Sequence, residues 1–367
     1  MKVGDVHYQS IWVDDKDPEV IKVIDQQQLP FFFEIRELRS VEDAFNAISG
    51  MIVRGAPVIG VTAAFGMYLA TLEMNPHTNI RDHLGNAARY LISSRPTAVN
   101  LAWAVNTMLN NLEAIPNQDE MTVAALKQAK KMLKDEAIKC KAIGEYGLPL
   151  IESCSREKGG EPVNILTHCN AGWLACVDYG TALAPVYLAH ENKIPVHVWV
   201  DETRPLNQGA RLTAWELANE GVPHTLITDN SGGHLMMKNM IDMVIVGSDR
   251  TTRTGDVANK TGTYLKALAA HDNKIPFYVA LPTSSIDLEL DDGLAGIPVE
   301  ERDPDEVTNV TGFKDRELVS VRICPEATMA ANFSFDITPS RLVTALITEH
   351  GMCMPNEKEI VGLFSEK

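Results

Sequence analysis

The chain has no CxxC pair, no HExxH or HxH spacing, no GxGxxG turn and no Walker A loop. A thiolate or histidine metal clamp, a dinucleotide site and a nucleoside-triphosphate site therefore all lack their usual fingerprints. Positive charge is also scarce: 33 Lys and Arg stand against 49 Asp and Glu, a net charge of −16. That balance argues against a nucleic-acid or anionic-membrane surface, because both need a basic face. A small phosphorylated molecule stays open, since a few local cations can hold it. Met1-Lys-Val-Gly-Asp5 lacks the apolar core of a signal peptide, and neither tandem repeats nor low-complexity tracts occur. One uncharged stretch, Gly55 to Leu72, reaches the length of a membrane span, yet its glycines, alanines, threonines and Pro57 suit a small-residue buried helix better. The expectation is a soluble cytoplasmic protein. The six cysteines, 140, 154, 169, 176, 324 and 353, read as reduced thiols. Cys169 and Cys176 are expected on one helix, too far apart along it for a disulfide.

What the chain has is a repeated pattern between Val163 and Lys260. Short apolar runs, rich in Val and Ile, each lead into a cluster of small polar residues. Val163 to His168 leads into Cys169-Asn170-Ala171-Gly172, and Pro195 to Val200 into Asp201-Glu202-Thr203-Arg204-Pro205. His224 to Thr228 leads into Asp229-Asn230-Ser231-Gly232-Gly233, and Ile241 to Val246 into Gly247-Ser248-Asp249-Arg250. Such runs, alternating with amphipathic segments, predict parallel strands in βα units. Each cluster then falls beyond the carboxyl end of its strand, the edge at which open α/β sheets bind ligands.

The length of 367 residues fits two domains. We expect a smaller, mainly helical amino-terminal domain over 1–130 and a Rossmann-like parallel-sheet α/β domain over 131–367. The first 50 residues open with β-leaning sequence, and Ser40-Val-Glu-Asp43 predicts a helix capped by Ser40 and running toward Met51. Pro57 suits the first turn of the next helix. Arg54 is a lone cation at its amino end, where outward N–H groups favour anions. Residues 82–112 predict two helices broken at Ser93 to Thr97, and residues 121–143 a charged amphipathic helix joining the domains. The α/β pattern continues through Lys274 to Leu281. An acidic loop over 287–306, a strand near 318–323, and a helix after Pro339 ending near Gly351 complete the expectation.

Cys169 is the thiol with the strongest case for chemistry. A helix amino terminus beyond its strand would lower its pKa, and Asn170 and Gly172 let backbone approach a ligand. The other five cysteines read as buried core. Asp249 follows an apolar strand, and a carboxyl against apolar residues can donate a proton near neutral pH. Taken alone, a helix-capping aspartate is the commoner reading. Asp201 and Glu202 are expected to divide between capping and pairing with Arg204. Gln208, Arg211, Asn230, Asp256, Asn259 and Lys260 lie near the same edge, and Arg54, Arg95 and Lys260 are the cations suited to a phosphate. His168 beside Cys169 would suggest a cysteine hydrolase or acyltransferase, but adjacent residues at a strand end point to opposite sides.

Arg54-Gly55-Ala56-Pro57-Val-Ile-Gly60, Thr167-His168-Cys169-Asn170-Ala171-Gly172, the Glu202 to Leu217 stretch, Gly247 to Arg250 and Gly255-Asp256-Val-Ala-Asn259-Lys260 resemble the methylthioribose-1-phosphate isomerases. The wider family includes the alpha, beta and delta subunits of the translation-initiation guanine-nucleotide exchange factor. The resemblance runs from Arg54 to the Phe335-Asp336-Ile-Thr-Pro339 stretch. It implies an aldose–ketose isomerase with Cys169 and Asp249 as the catalytic pair. Arg54, Gly55, Ala56, Arg95, Gln208, Asn259 and Lys260 would then bind the sugar phosphate. It further implies a dimer with no metal or organic cofactor. Ser248, Thr251 to Thr254 and Asn230 to His234 depart from the family pattern. They leave a 5-deoxyribose 1-phosphate or a ribose 1,5-bisphosphate as alternative substrates. A non-catalytic regulatory subunit of the same fold is the reading from another class.

Overall fold

The computed structural model describes residues 1–74, 79–95, 98–113 and 115–364. The chain folds as two compact units, Met1–Lys141 with Gly172–Gly180, and Ala142–Ala171 with Thr181 onward.

The first unit is mainly helical. An antiparallel sheet of Ile11–Val13, Ile21–Ile24 and Ile35–Leu38 precedes the helices Val41–Ser49, Ala56–Leu72, Ile80–Ser93 and Val99–Leu112. Ser40 caps the first helix, its side chain accepting from the Asp43 amide at 3.0 Å, as the capping box predicts. The uncharged stretch is the buried helix expected: every residue from Val58 to Thr71 is out of solvent. Its glycines matter because a β-carbon on Gly66 would stand 3.0 Å from Ala44 Cβ and from both Leu91 methyls. Two neighbouring helices pack against that bare backbone. Among the described residues no helix is long and apolar enough to cross a membrane. Part of the expected break between the next two helices, Pro96 and Thr97, lies outside the described residues.

The charged helix is longer than its sequence suggests, running from Gln118 to Glu157 with Pro149 inside it. Gly144, Gly147 and Pro149 read as breakers, but packing overrides them. A β-carbon on Gly144 would meet Leu188 Cδ1 at 2.8 Å, and one on Gly147 would meet Pro185 Cγ at 2.4 Å. The glycines are there so that the Ala184–Glu191 helix can approach.

The second unit is built on a seven-stranded sheet in the order Gly351–Cys353, Ala345–Thr348, Phe277–Ala280, Met243–Val246, Val163–Thr167, Val196–Asp201, His224–Ile227. All neighbours pair in parallel except the Gly351–Cys353 edge strand. The chain builds outward from Val163–Thr167 to one edge, then returns to build the other half from Met243–Val246. The order therefore reverses between these two strands, the switch point at which a crevice opens. The α/β class and Rossmann-like sheet are as expected.

Two expectations fail here. After Val246 no amphipathic segment follows directly. Instead Arg250–Thr252 and Val257–Lys260 form an antiparallel hairpin within a second sheet completed by Ile286–Asp287 and Phe335–Thr338. The helix waits until Thr263–Asp272. After Pro339 there is no long helix but a 3₁₀ turn, Ser340–Leu342, and the last two strands of the main sheet. Short apolar runs such as Ala345–Thr348 do not distinguish helix from buried strand by periodicity. The strand expected near 318–323 is Glu317–Arg322, hairpin-paired with Asn309–Lys314.

Candidate functional site

Cys169 stands two residues past the Val163–Thr167 strand with φ of 64°. No α-helix starts there. A 3₁₀ turn occupies Trp173–Ala175 and the next α-helix begins only at Ala184. The expected helix start directly behind the thiol in its own segment is therefore missing, and Cys169 and Cys176 share no helix. Hydrogen bonds define its setting instead. Its Sγ donates to Gln208 Oε1 at 3.2 Å, its amide donates to Thr203 Oγ1 at 2.8 Å, and its carbonyl accepts from Thr213 Oγ1 at 2.7 Å.

Thr203 lies beyond the adjacent strand, Val196–Asp201, and is also left-handed, with φ of 64°. A left-handed residue other than glycine costs about 1–2 kcal/mol, and a β-branched one is rarer still. Two such residues, bonded to each other across neighbouring strand ends, need support. Asp229 supplies some: its Oδ1 accepts from the Thr203 amide at 2.7 Å and its Oδ2 from the Arg204 amide at 2.8 Å. Gln208 and Thr213 flank and end a π-helical turn, Gly209–Thr213, a local form that often marks functional sites.

Behind the thiol lies a buried polar cluster. Asn170 Nδ2 donates to Thr213 Oγ1 at 3.1 Å and to Glu216 Oε1 at 2.9 Å, and the Tyr187 hydroxyl donates to Glu216 Oε2 at 2.7 Å. Glu216 and Thr213 are fully buried. Burial, reinforced by the Glu216 charge, holds the Tyr187 phenol well above its usual pKa.

His168 faces the other way from Cys169, as alternation at a strand end requires. Its Nδ1 is 2.8 Å from Asp201 Oδ2 and its Nε2 is 2.9 Å from the Thr261 carbonyl oxygen. A carbonyl can only accept, so Nε2 carries a hydrogen. The Lys266 ammonium lies 3.2 Å from the same Asp201 oxygen, so that one oxygen is shared between His168 and Lys266. The His–Cys dyad is thus excluded, because both ring nitrogens are committed elsewhere. Asp201 and Glu202 do not divide as expected either. Asp201 pairs with His168 and Lys266, while Arg204 donates to the carbonyls of Asn309 at 3.3 Å and Val307 at 2.8 Å. His168, Asp201 and Asp229 lie close enough together to suit a metal ion. Lys266 already supplies the positive charge there, so the donor set fits an ion network better than a metal centre.

Asp249 follows the Met243–Val246 strand, directly beside the strand that leads to Cys169. It caps no helix. Its amide donates to the Ala258 carbonyl at 3.0 Å, at the mouth of the hairpin, and it is half-buried. The two strand-end loops touch: a β-carbon on Gly247 would stand 2.8 Å from Ala171 Cβ. The hairpin's second strand carries Asn259, buried and donating to Thr263 Oγ1 at 3.0 Å, and Lys260, whose Nζ lies 5.0 Å from the Phe335 ring centroid. Arg250 is paired with Asp287, Nε to Oδ2 at 3.0 Å. Asp256 accepts from the amides of Gly293 at 3.0 Å and Ser340 at 2.9 Å. Both are structural partners of the second sheet.

Within the amino-terminal unit, Arg54 is buried and its Nε donates to Gln26 Oε1 at 3.2 Å. Gln26 in turn donates to the Leu174 carbonyl at 2.8 Å. Gly55, with φ of 104°, is the cap residue of the Ala56–Leu72 helix. Its bare α-carbon is required, since a β-carbon would stand 2.3 Å from the Ala175 carbonyl oxygen. Arg95 is half-buried, past the end of Ile80–Ser93.

The sequence singles out Cys169, Gln208, Asp249, Asn259 and Lys260 as candidates, and the second unit carries all five, with Cys169 and Gln208 in direct contact. It misses Thr203, Thr213, Glu216, Tyr187 and Lys266. Threonine at a strand end carries no signal of its own, and the left-handed turns lack the glycines that would announce them.

A sequence profile described as the Initiation factor 2 subunit family matches residues 52–355. Methylthioribose-1-phosphate isomerase of Desulfatibacillum aliphaticivorans is 54% identical over 367 residues, all of both chains. The protein of the same name from Acidiphilium cryptum is 53% identical, over all of this chain and 98% of its own. Among solved structures, 5-methylthioribose 1-phosphate isomerase from Pyrococcus horikoshii OT3 superposes with a TM-score of 0.84 at 35% identity, covering 99% of this chain and 97% of that one. The translation initiation factor eIF-2B subunit delta from A. fulgidus superposes with a TM-score of 0.81 at 39% identity, covering 97% and 99%. The chain belongs to the Initiation factor 2 subunit family, and within it to the methylthioribose-1-phosphate isomerases.

Proposed function

We propose that this protein converts 5-methylthioribose 1-phosphate to 5-methylthioribulose 1-phosphate, a step of methionine salvage, with Asp249 as the acid and Cys169 as proton relay or charge stabiliser. The observation that carries the reading is the emergence of Cys169 and Asp249 from two neighbouring strands at the sheet's switch point. Full-length identity to proteins of that name supports it.

The chemistry asks for these groups. An aldose whose anomeric oxygen carries phosphate cannot open its ring as a free hemiacetal does, so ring opening needs a proton donor. Hydrogen must then move from C2 to C1. A thiol held by an amide oxygen, as Cys169 is by Gln208, suits either a proton relay through an enediol or charge stabilisation during a direct shift. Gln208, Asn259 and Lys260 are proposed to bind the sugar phosphate, as are Arg54, Gly55, Ala56 and Arg95 of the amino-terminal unit. No metal or organic cofactor takes part. The protein acts as a cytoplasmic homodimer.

Purified protein incubated with the sugar phosphate and a chelator should form the ketose, followed by NMR. Cys169→Ser and Asp249→Asn should each slow turnover by at least ~10²-fold, and unchanged rates in both would remove the reading. The likeness to the A. fulgidus factor favours a second reading, a regulatory subunit that binds the sugar phosphate without converting it. Affinity with no turnover would select it. Faster turnover of a 5-deoxyribose 1-phosphate or a ribose 1,5-bisphosphate would reassign the substrate.

A further inference from the structure

We propose that Thr203 and Thr213 are positioning residues for Cys169, two hydroxyls that clamp its backbone and so aim its thiol. The proposal rests on the isomerase reading for its kinetic test, and on geometry alone for its chemical one.

The clamp is two-sided. Thr203 Oγ1 accepts from the Cys169 amide at 2.8 Å, and Thr213 Oγ1 donates to the Cys169 carbonyl at 2.7 Å. Neither hydroxyl is free to turn away. Thr203 Oγ1 donates to the Asp201 carbonyl at 3.0 Å, and Thr213 Oγ1 accepts from Asn170 at 3.1 Å. Both threonines are buried, so neither is an ordinary surface residue. Cys169 is held in a left-handed conformation that its own side chain disfavours, and Thr203 shares that strain with φ of 64°. Backbone held in sparsely populated regions persists only where its surroundings over-determine it, and such residues cluster at active sites. If Cys169 relaxed to an extended conformation its Cβ would swing away from Gln208, and the 3.2 Å thiol contact would be lost. The π turn therefore delivers two things to one residue: Gln208 to the sulfur and Thr213 to the carbonyl.

Valine preserves the shape of threonine and removes the hydroxyl, while serine keeps the hydroxyl and loses the methyl. Thr203→Val and Thr213→Val should lower kcat by roughly 10- to 100-fold with KM changed less than about twofold, as expected for a displaced reacting group. They should also change the rate at which iodoacetamide labels Cys169, read by peptide mass spectrometry, by at least ~3-fold, since thiol reactivity follows its surroundings. Thr203→Ser and Thr213→Ser should restore both readouts. Folded valine variants with unchanged kcat and labelling would overturn the proposal. So would serine variants as impaired as valine, which would assign the effect to methyl packing. Should a valine variant not fold, the alanine variant is measured in its place under the same criteria. Wild-type protein with no turnover would count against the isomerase reading only, and the labelling rates would then decide the clamp.

Discussion

Gly209 lies so close to Asp201 that a β-carbon added to it would stand 1.7 Å from the Asp201 carbonyl oxygen. That approach seats the π turn against the end of the Val196–Asp201 strand. It requires glycine, and nothing larger can be accommodated by side-chain adjustment because the obstacle is backbone. Gly209→Ala should cost ~3 kcal/mol, the upper range for forced overpacking. It should also uncouple Gln208 from Cys169. Urea titration measures the first effect; an unchanged unfolding midpoint would contradict the packing.

The buried ion network should be costly to break. His168 is 1% exposed and Asp201 0%, and His168→Leu leaves the carboxylate with Lys266 alone. Losing one partner of a buried hydrogen-bonded pair costs roughly 3 kcal/mol or more. In a double-mutant cycle, His168→Leu combined with Asp201→Leu should cost clearly less than the two single changes added together. Additive losses would show that the two side chains do not act as a pair.

Gln208 offers a simpler test of the thiol's setting. Gln208→Leu removes the only hydrogen-bond acceptor identified for the Cys169 thiol among the described residues. Turnover should fall by ~10-fold or more, as when a positioning contact is lost. Steady-state kinetics would separate the part lost in kcat from any rise in KM due to a lost sugar contact.

Asp336 should give stability a particular pH dependence. Its carboxylate accepts from the amides of Gly262 at 2.6 Å and Tyr264 at 3.1 Å, at the start of the Thr263–Asp272 helix. Burial raises its pKa above 3.8, outweighing those two hydrogen bonds. Between the unfolded value and the raised folded value, the unfolded chain has released its proton and the folded chain has not. The folded state then binds more protons, so this group's contribution to stability falls as pH rises through that window. Relative to Asp336→Asn, the wild type should lose stability as pH climbs from about 4. A difference between the two proteins that does not change with pH would contradict this.

Much of the candidate site was legible because parallel strands announce themselves as short β-branched runs and topology sends their ends to one edge. That pattern brings Cys169 and Asp249 to the edge and Gln208 near it, while the roles proposed for them come from the family resemblance. What stayed hidden depended on contacts between distant segments. Cys169 carries no sign of being left-handed, because the support comes from Thr203, Thr213 and Asp229. The hairpin after Asp249 reads as loop and helix start, because the strand that stabilises it, Phe335–Thr338, arrives much later in the sequence. Gly144 and Gly147 look like a helix end until the Ala184–Glu191 helix explains them.

That late strand has a consequence for how far the chain can be shortened. Every residue assigned a chemical or binding role lies at or before Lys260, so a fragment ending near residue 330 would retain them all. It would nonetheless lack Phe335–Thr338, whose partners are Val257 through Lys260, together with Ala345–Thr348 from the main sheet. The carboxyl-terminal tenth of the protein thus serves as a brace. An intact inventory of reactive groups would be left without the scaffold that aligns it.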